Sequence, residues 1–79
     1  MYYVYAIKSL SFGYIYVGMT KDIERRLHKH NSGQNKSTKA YKPFYLIFTE
    51  EAESREAARR KEKYLQSGVG KEYLKSLLK

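Results

Sequence analysis

The sequence predicts an α+β domain in the order β-β-α-β-α-α: a three-stranded sheet opened by an antiparallel hairpin, with helices flanking it. Three observations carry that prediction. Residues 2–8 and 14–19 are aromatic and β-branched runs, joined by a loop short enough to make them a hairpin. Two later stretches place polar caps before helical spacing of apolar residues, one at Thr20 or Asp22 and one at Ser54. A hairpin at the start excludes the repeating βαβ pattern of an α/β fold. The 79 residues fit a single domain spanning 1–79. Its core is thin, because a chain of this size buries only about 60% of its unfolded surface.

The first strand, residues 2–8, runs without a breaker. Ser9 to Gly13 form the turn, where Gly13 is expected to supply a positive φ. Residues 14–19 are the second strand. By the two-residue period, Tyr3, Tyr5 and Ile7 share one face, and Tyr14, Tyr16 and Gly18 share one face of the partner. Both faces of both strands are largely apolar, so helices are expected to cover much of the sheet. Gly18 weakens a strand unless close backbone approach is needed there. The first helix starts at once, buries Ile23 and Leu27, and stops at Asn31-Ser32-Gly33. At about 100° per residue, Arg26 and His30 lie one turn apart on the margin between core and solvent.

Gln34 to Lys42 is a polar, basic loop without periodicity, of a length that is often functional. Pro43 ends it. Residues 44–49 form the third strand, so continuously apolar that a central or doubly covered position is expected. Glu50 to Glu53 is expected to turn. Ser54 caps a helix running to about Gln66. Ala57, Ala58, Lys61, Tyr64 and Leu65 define its inner side, with Glu62 on the edge. Ser67-Gly68 ends it. Val69 to Lys79 is a further helical segment whose apolar residues are Val69, Tyr73, Leu74, Leu77 and Leu78.

Composition narrows the function. The chain has no cysteine, which excludes disulfide staples and thiolate metal sites. The first residues lack a signal-peptide pattern, and no apolar run approaches the roughly 20 residues of a membrane span. A cytoplasmic protein is expected. Net charge is +8. The positive charge gathers on residues 21–42 and 54–79, while Glu50, Glu51 and Glu53 form an acidic patch. Such a balance favours polyanionic partners, nucleic acid above all.

Phosphodiester hydrolysis needs an activated water, positive charge on the developing phosphorane, and help for the leaving oxygen. Tyr5 or Tyr16 can take or relay a proton, provided a cation lowers the phenol's pKa. Arg26 can donate a bidentate pair to phosphate. His30 can orient a phenol or bind phosphate. Glu62 can hold one divalent cation, since magnesium commonly takes one or two protein carboxylates and keeps its waters. Each residue also has a plainer reading: strand packing for the tyrosines, a solvated charge for Arg26, a helix-end histidine for His30, a helix ion pair for Glu62. Lys21, Arg25, Lys29, Lys36 and Lys39 are the cations expected to contact phosphates.

The ordered combination is more specific than any single residue. Tyr3-Val4-Tyr5, then Tyr16-Val17-Gly18, then Asp22, Arg26, His30, Asn31 and Gly33 resemble the GIY-YIG nuclease superfamily. The resemblance continues through Thr38, Pro43, Ser54-Arg55-Glu56-Ala57 and Lys61-Glu62-Lys63-Tyr64-Leu65. It is strongest to the small stand-alone members. It implies that Tyr5 and Tyr16 are the two motif tyrosines, one acting as or assisting the general base. Gly18 closes the second motif, Arg26 stabilises the phosphate, His30 matches a histidine of many members, and Glu62 is the metal ligand. It also implies Mg²⁺ or Mn²⁺ as cofactor and DNA, double-stranded or branched, as substrate. Two departures stand out. Tyr3 replaces the leading glycine of the first motif, and no Asn follows Glu62 within residues 66–79.

The expectation is therefore a divalent-metal-dependent DNA endonuclease-like domain working by a one-metal hydrolytic route. Sequence specificity is expected to be low, and the setting DNA repair or recombination. The alternatives are a non-catalytic nucleic-acid-binding module on the same fold, and an adaptor that forms a homodimer through the C-terminal helix.

Overall fold

The computed structural model describes residues 1–78. Its elements are β1 (Tyr2–Ser9), β2 (Ile15–Thr20), α1 (Ile23–Asn31), β3 (Phe44–Ala52), α2 (Arg55–Gln66) and α3 (Gly68–Ser76), with a 3₁₀ turn at Lys39–Tyr41 before β3. The sheet order is β2-β1-β3 and both pairings are antiparallel. The predicted order of elements is therefore the observed one.

The two faces of the sheet are filled separately, as the alternation of side chains along a strand requires. On one face Val4, Ala6, Ile15 and Val17 pack with Ala58 and Leu65 of α2 and Leu74 of α3. On the other, Tyr5, Ile7 and Phe44 pack with Tyr14, Tyr16, Tyr41, and Ile23 and Leu27 of α1. Helices thus cover both faces.

The caps explain where the helices begin. Asp22, not Thr20, caps α1 by accepting from the Arg25 N–H at 3.1 Å. The Thr20 hydroxyl instead accepts the Asp22 N–H at 3.1 Å and holds the cap in place. Ser54 Oγ accepts from the Ala57 N–H at 3.1 Å and starts α2. Ser67 ends α2 and caps α3. A Cβ on Gly70 would lie 2.1 Å from the Tyr64 carbonyl oxygen, so a residue without a side chain lets α3 fold back against α2.

Several expectations are corrected. β3 is an edge strand, and only Phe44 of it is buried, because β1 takes the central place and pairs on both sides. Glu50 and Glu51 continue β3 instead of turning. Glu50 pairs with Lys61 at 3.4 Å. The positive φ belongs to Gly33, not Gly13. Around the hairpin turn the Ser9 hydroxyl accepts the N–H groups of Ser11 and Phe12, so a side chain organises that loop. Tyr64 is 47% exposed and lies outside the inner side of α2. α3 ends at Ser76, short of the predicted stretch; Leu74 is buried, while Val69 and Tyr73 on the helix and Leu77 and Leu78 after it are exposed. Lys79 lies outside the described residues. His30 is fully buried, not marginal, because the loop after α1 closes over it.

Candidate active site

Tyr5 lies opposite Gly18 across the β1–β2 pairing. A Cβ on Gly18 would sit 2.7 Å from Tyr5 Oη and 3.0 Å from a ring carbon of Tyr16. The glycine at this point of the strand makes room for the phenol.

That phenol begins a buried hydrogen-bonded chain. Tyr5 Oη lies 2.9 Å from His30 Nε2, and His30 Nδ1 lies 2.8 Å from Thr38 Oγ1. The Thr38 hydroxyl donates onward to the Asn35 carbonyl at 3.5 Å. A neutral imidazole has one donor and one acceptor nitrogen. The polarity compatible with all three bonds has Tyr5 O–H donating to Nε2 and Nδ1–H donating to Thr38. Three separate elements supply the chain: β1, the last turn of α1, and the loop before β3. Asn31 holds that loop shut. Its Nδ2 donates to the Phe44 carbonyl at 3.1 Å, and its Oδ1 accepts the Phe44 N–H at 2.6 Å.

Tyr16 joins the same cluster. Its ring centroid is 4.8 Å from that of His30 and 6.2 Å from that of Tyr5. Its hydroxyl makes no hydrogen bond among the described residues. Burial first, then Tyr16, pushes the Tyr5 phenol above its ordinary pKa; the Arg26 guanidinium opposes that and Glu62 adds to it. Burial, and then the Arg26 charge, pushes His30 below its ordinary value. The imidazole is therefore neutral near pH 7 and can accept a hydrogen bond.

Arg26 of α1 and Glu62 of α2, helices that pack on opposite faces of the sheet, line one groove of about 500 Å³. Lys21, Arg25 and Lys29 line it as well. Lys36 lines an adjoining pocket that shares Arg26 and Lys29. Lys39 lines neither. Reasoning from residue types alone missed two contributors. Thr38 sits in a loop with no periodicity to mark it, and Asn31 reads locally as a helix stop.

A family model described as the GIY-YIG catalytic domain matches residues 1–74. The chain belongs to the GIY-YIG family. Among curated relatives, a UPF0213 protein of Staphylococcus saprophyticus is 39% identical over 62 residues, which is 77% of this chain and 74% of the relative. A UPF0213 protein of Staphylococcus aureus strain Mu50 matches with the same identity and coverage. The NMR solution structure of a UPF0213 protein of Bacillus halodurans superposes with a TM-score of 0.56 at 40% identity, covering 98% of this chain and 85% of that one. The molecule thus carries the nuclease-like fold of the GIY-YIG family.

The donor set of this GIY-YIG site can be tested against a cation. Glu62 is half-buried and has neither a hydrogen bond nor an ion pair among the described residues; its neighbour Lys61 pairs with Glu50 instead. Among the described residues, no three His, Cys, Asp or Glu side chains form a metal-binding group. One carboxylate in an open groove fits magnesium or manganese that retains most of its waters, and does not fit a closed zinc site.

Proposed function

We propose that this GIY-YIG chain is a divalent-metal-dependent endonuclease that hydrolyses DNA phosphodiesters with low sequence selectivity. In this reading it acts in the cytoplasm, in repair or recombination. The observation that carries the reading is the Tyr5–His30–Thr38 chain, whose phenol feels the charges of Arg26 and Glu62, the two residues that share one groove.

The roles follow from the chemistry. A phenol whose pKa is raised is a poor base by itself. Tyr5 is better placed as a relay: as it takes a proton from water, it hands its own to neutral His30 Nε2. Thr38 holds the imidazole in the tautomer that leaves Nε2 open. Arg26 favours the charged phenol and pairs with the phosphate as negative charge builds on it. The unpartnered Tyr16 hydroxyl can donate to a phosphate oxygen. Glu62 would hold Mg²⁺ or Mn²⁺, which supplies charge stabilisation to the phosphate when bound. No helix among the described residues is long and apolar enough to cross a membrane.

Nicking of supercoiled plasmid in Mg²⁺ tests this reading. Wild-type protein should nick, EDTA should stop it, and Glu62→Ala and Arg26→Ala should each slow it by about 100-fold or more. DNA binding without metal-dependent nicking would instead make the chain a non-catalytic nucleic-acid-binding module. Homodimerisation through the C-terminal segment is the other reading, and sedimentation at several concentrations tests it.

A further inference from the structure

We infer that the groove between α1 and α2 is a two-walled track for the sugar-phosphate backbone of DNA. Arg55 and Arg59 of α2 hold phosphates on one side of the reacting group, and Lys29 and Lys36 hold them on the other. This rests on the reading of Arg26 and Glu62 as the reacting site, and adds the path the substrate takes through it.

Six cations line the groove: Lys21, Arg25, Arg26 and Lys29 from the α1 side, and Arg55 and Arg59 from α2. None of them has an ion-pair partner among the described residues; the ion pairs there belong to Lys61 and Lys75. Of the two acids in the groove, Asp22 is engaged in capping α1, which leaves Glu62. Crowding six like charges is unfavourable unless a polyanion fills the space between them. A surface evolved only for solubility would intersperse acids.

The spacing suits a strand of phosphates. Arg55, Arg59 and Glu62 are four and three residues apart, so they form one stripe along α2. Arg25 and Lys29 form a matching stripe on α1. Both helices also begin at this groove, which adds the positive ends of two dipoles. Beyond Lys29 the groove runs on into a pocket of about 350 Å³ lined by Lys36, Gln34 and Asn35. Arg26 and Lys29 line both, so the two are one continuous path. The α2 wall is made of arginine, whose planar fork matches phosphate oxygens in pairs.

Binding without catalysis tests the track. The longest extent of the molecule is 32 Å, so at one phosphate per 3.4 Å of strand it spans about nine, and a fluorescein-labelled duplex of about 12 base pairs is long enough. Anisotropy is read in EDTA, in a Glu62→Ala background, over a range of salt concentrations. Arg55→Ala with Arg59→Ala should weaken binding about tenfold and lower the slope of log affinity against log salt by about 1.8. Arg55→Lys with Arg59→Lys should restore most of the slope, which a folding defect would not allow. Lys75→Ala removes an α3 charge that does not line the groove, and should change neither quantity.

The track is wrong if the double alanine variant binds like its parent, or if Lys75→Ala weakens binding as much as the double alanine change does. The two readings fail separately. Absent nicking with the predicted anisotropy pattern would remove the nuclease and keep the track. Nicking that depends on Glu62 and Arg26, with binding indifferent to Arg55 and Arg59, would do the opposite.

Discussion

On one face of β1, Val4 and Ala6 meet Ala58, Leu65 and Leu74; on the other, Tyr5 and Ile7 meet aromatic rings and a buried imidazole. The buried side chains of the first face are all aliphatic and hold mainly by burial, with Gln66 Nε2 and Lys71 Nζ donating to the Val17 and Ile15 carbonyls at 3.3 and 2.9 Å. The second places three polar side chains out of water, at a cost that is offset by pairing all of them. Among the described residues no buried side-chain nitrogen or oxygen lacks a partner. A domain of this size has little apolar surface to spare. It keeps stability on one side of its central strand and hydrogen-bonding chemistry on the other, with residues only one position apart.

The division can be broken from the chemical side first. Tyr5→Phe should slow plasmid nicking by about 10²- to 10⁴-fold, the range expected for a proton-transfer group. It should leave the fold in place, with a loss of about 1–3 kcal/mol from the unpaired His30 Nε2. A Tyr5→Phe protein that nicks at the wild-type rate would remove Tyr5 from the mechanism.

The aliphatic side gives the next largest effect. Leu65→Ala empties a fully buried site between sheet and helices and should cost about 2–5 kcal/mol in urea unfolding. Nicking per folded molecule should not change. If it fell in step with stability, the two faces would be coupled more tightly than their packing suggests.

Gly18→Ala probes the space around the phenol on the aromatic face. The new methyl would meet the Tyr5 hydroxyl at 2.7 Å, and the buried ring, held by His30, has little room to swing. A cost of about 1–3 kcal/mol is expected, together with loss of nicking. A stable, active Gly18→Ala protein would show that the phenol does not need its observed position.

The smallest effect is on pH. The pKa of His30 is lowered in the folded chain, while the unfolded value is about 6.5. Between the two, the unfolded chain binds more protons, so stability rises with pH across that window. The contribution is present above about 6.5 and is lost as pH falls towards the folded value. Thermal melts from neutral to acidic pH should register the fall, and His30→Gln should flatten it.

Much of this was readable residue by residue. The hairpin, the cap at Ser54, a first cap at Thr20 or Asp22, and the end of α2 at Gln66 follow from local pattern, because each depends on side chains within a few positions. The edge position of β3 was not readable. Its apolar run looks central, yet the order of strands depends on which one pairs on both sides. The burial of His30 was likewise hidden. Helical spacing placed it on a margin, and the loop carrying Thr38 made that margin interior. Tyr64 misled for the converse reason: its spacing was correct for an inner face, but α2 turns it to solvent.

The sequence by itself determined the kinds of element, their order, and the residue types from which a phosphodiester site can be assembled. Those are set by short-range sterics, caps and periodicity. The tertiary structure alone decided that Tyr5, His30 and Thr38 form one hydrogen-bonded chain, and that Arg26 and Glu62 face a common groove. It also gave Arg55 and Arg59 a place in that groove, beside the α1 cations. Such contacts join residues far apart in sequence, and they exist only once both faces of β1 are packed.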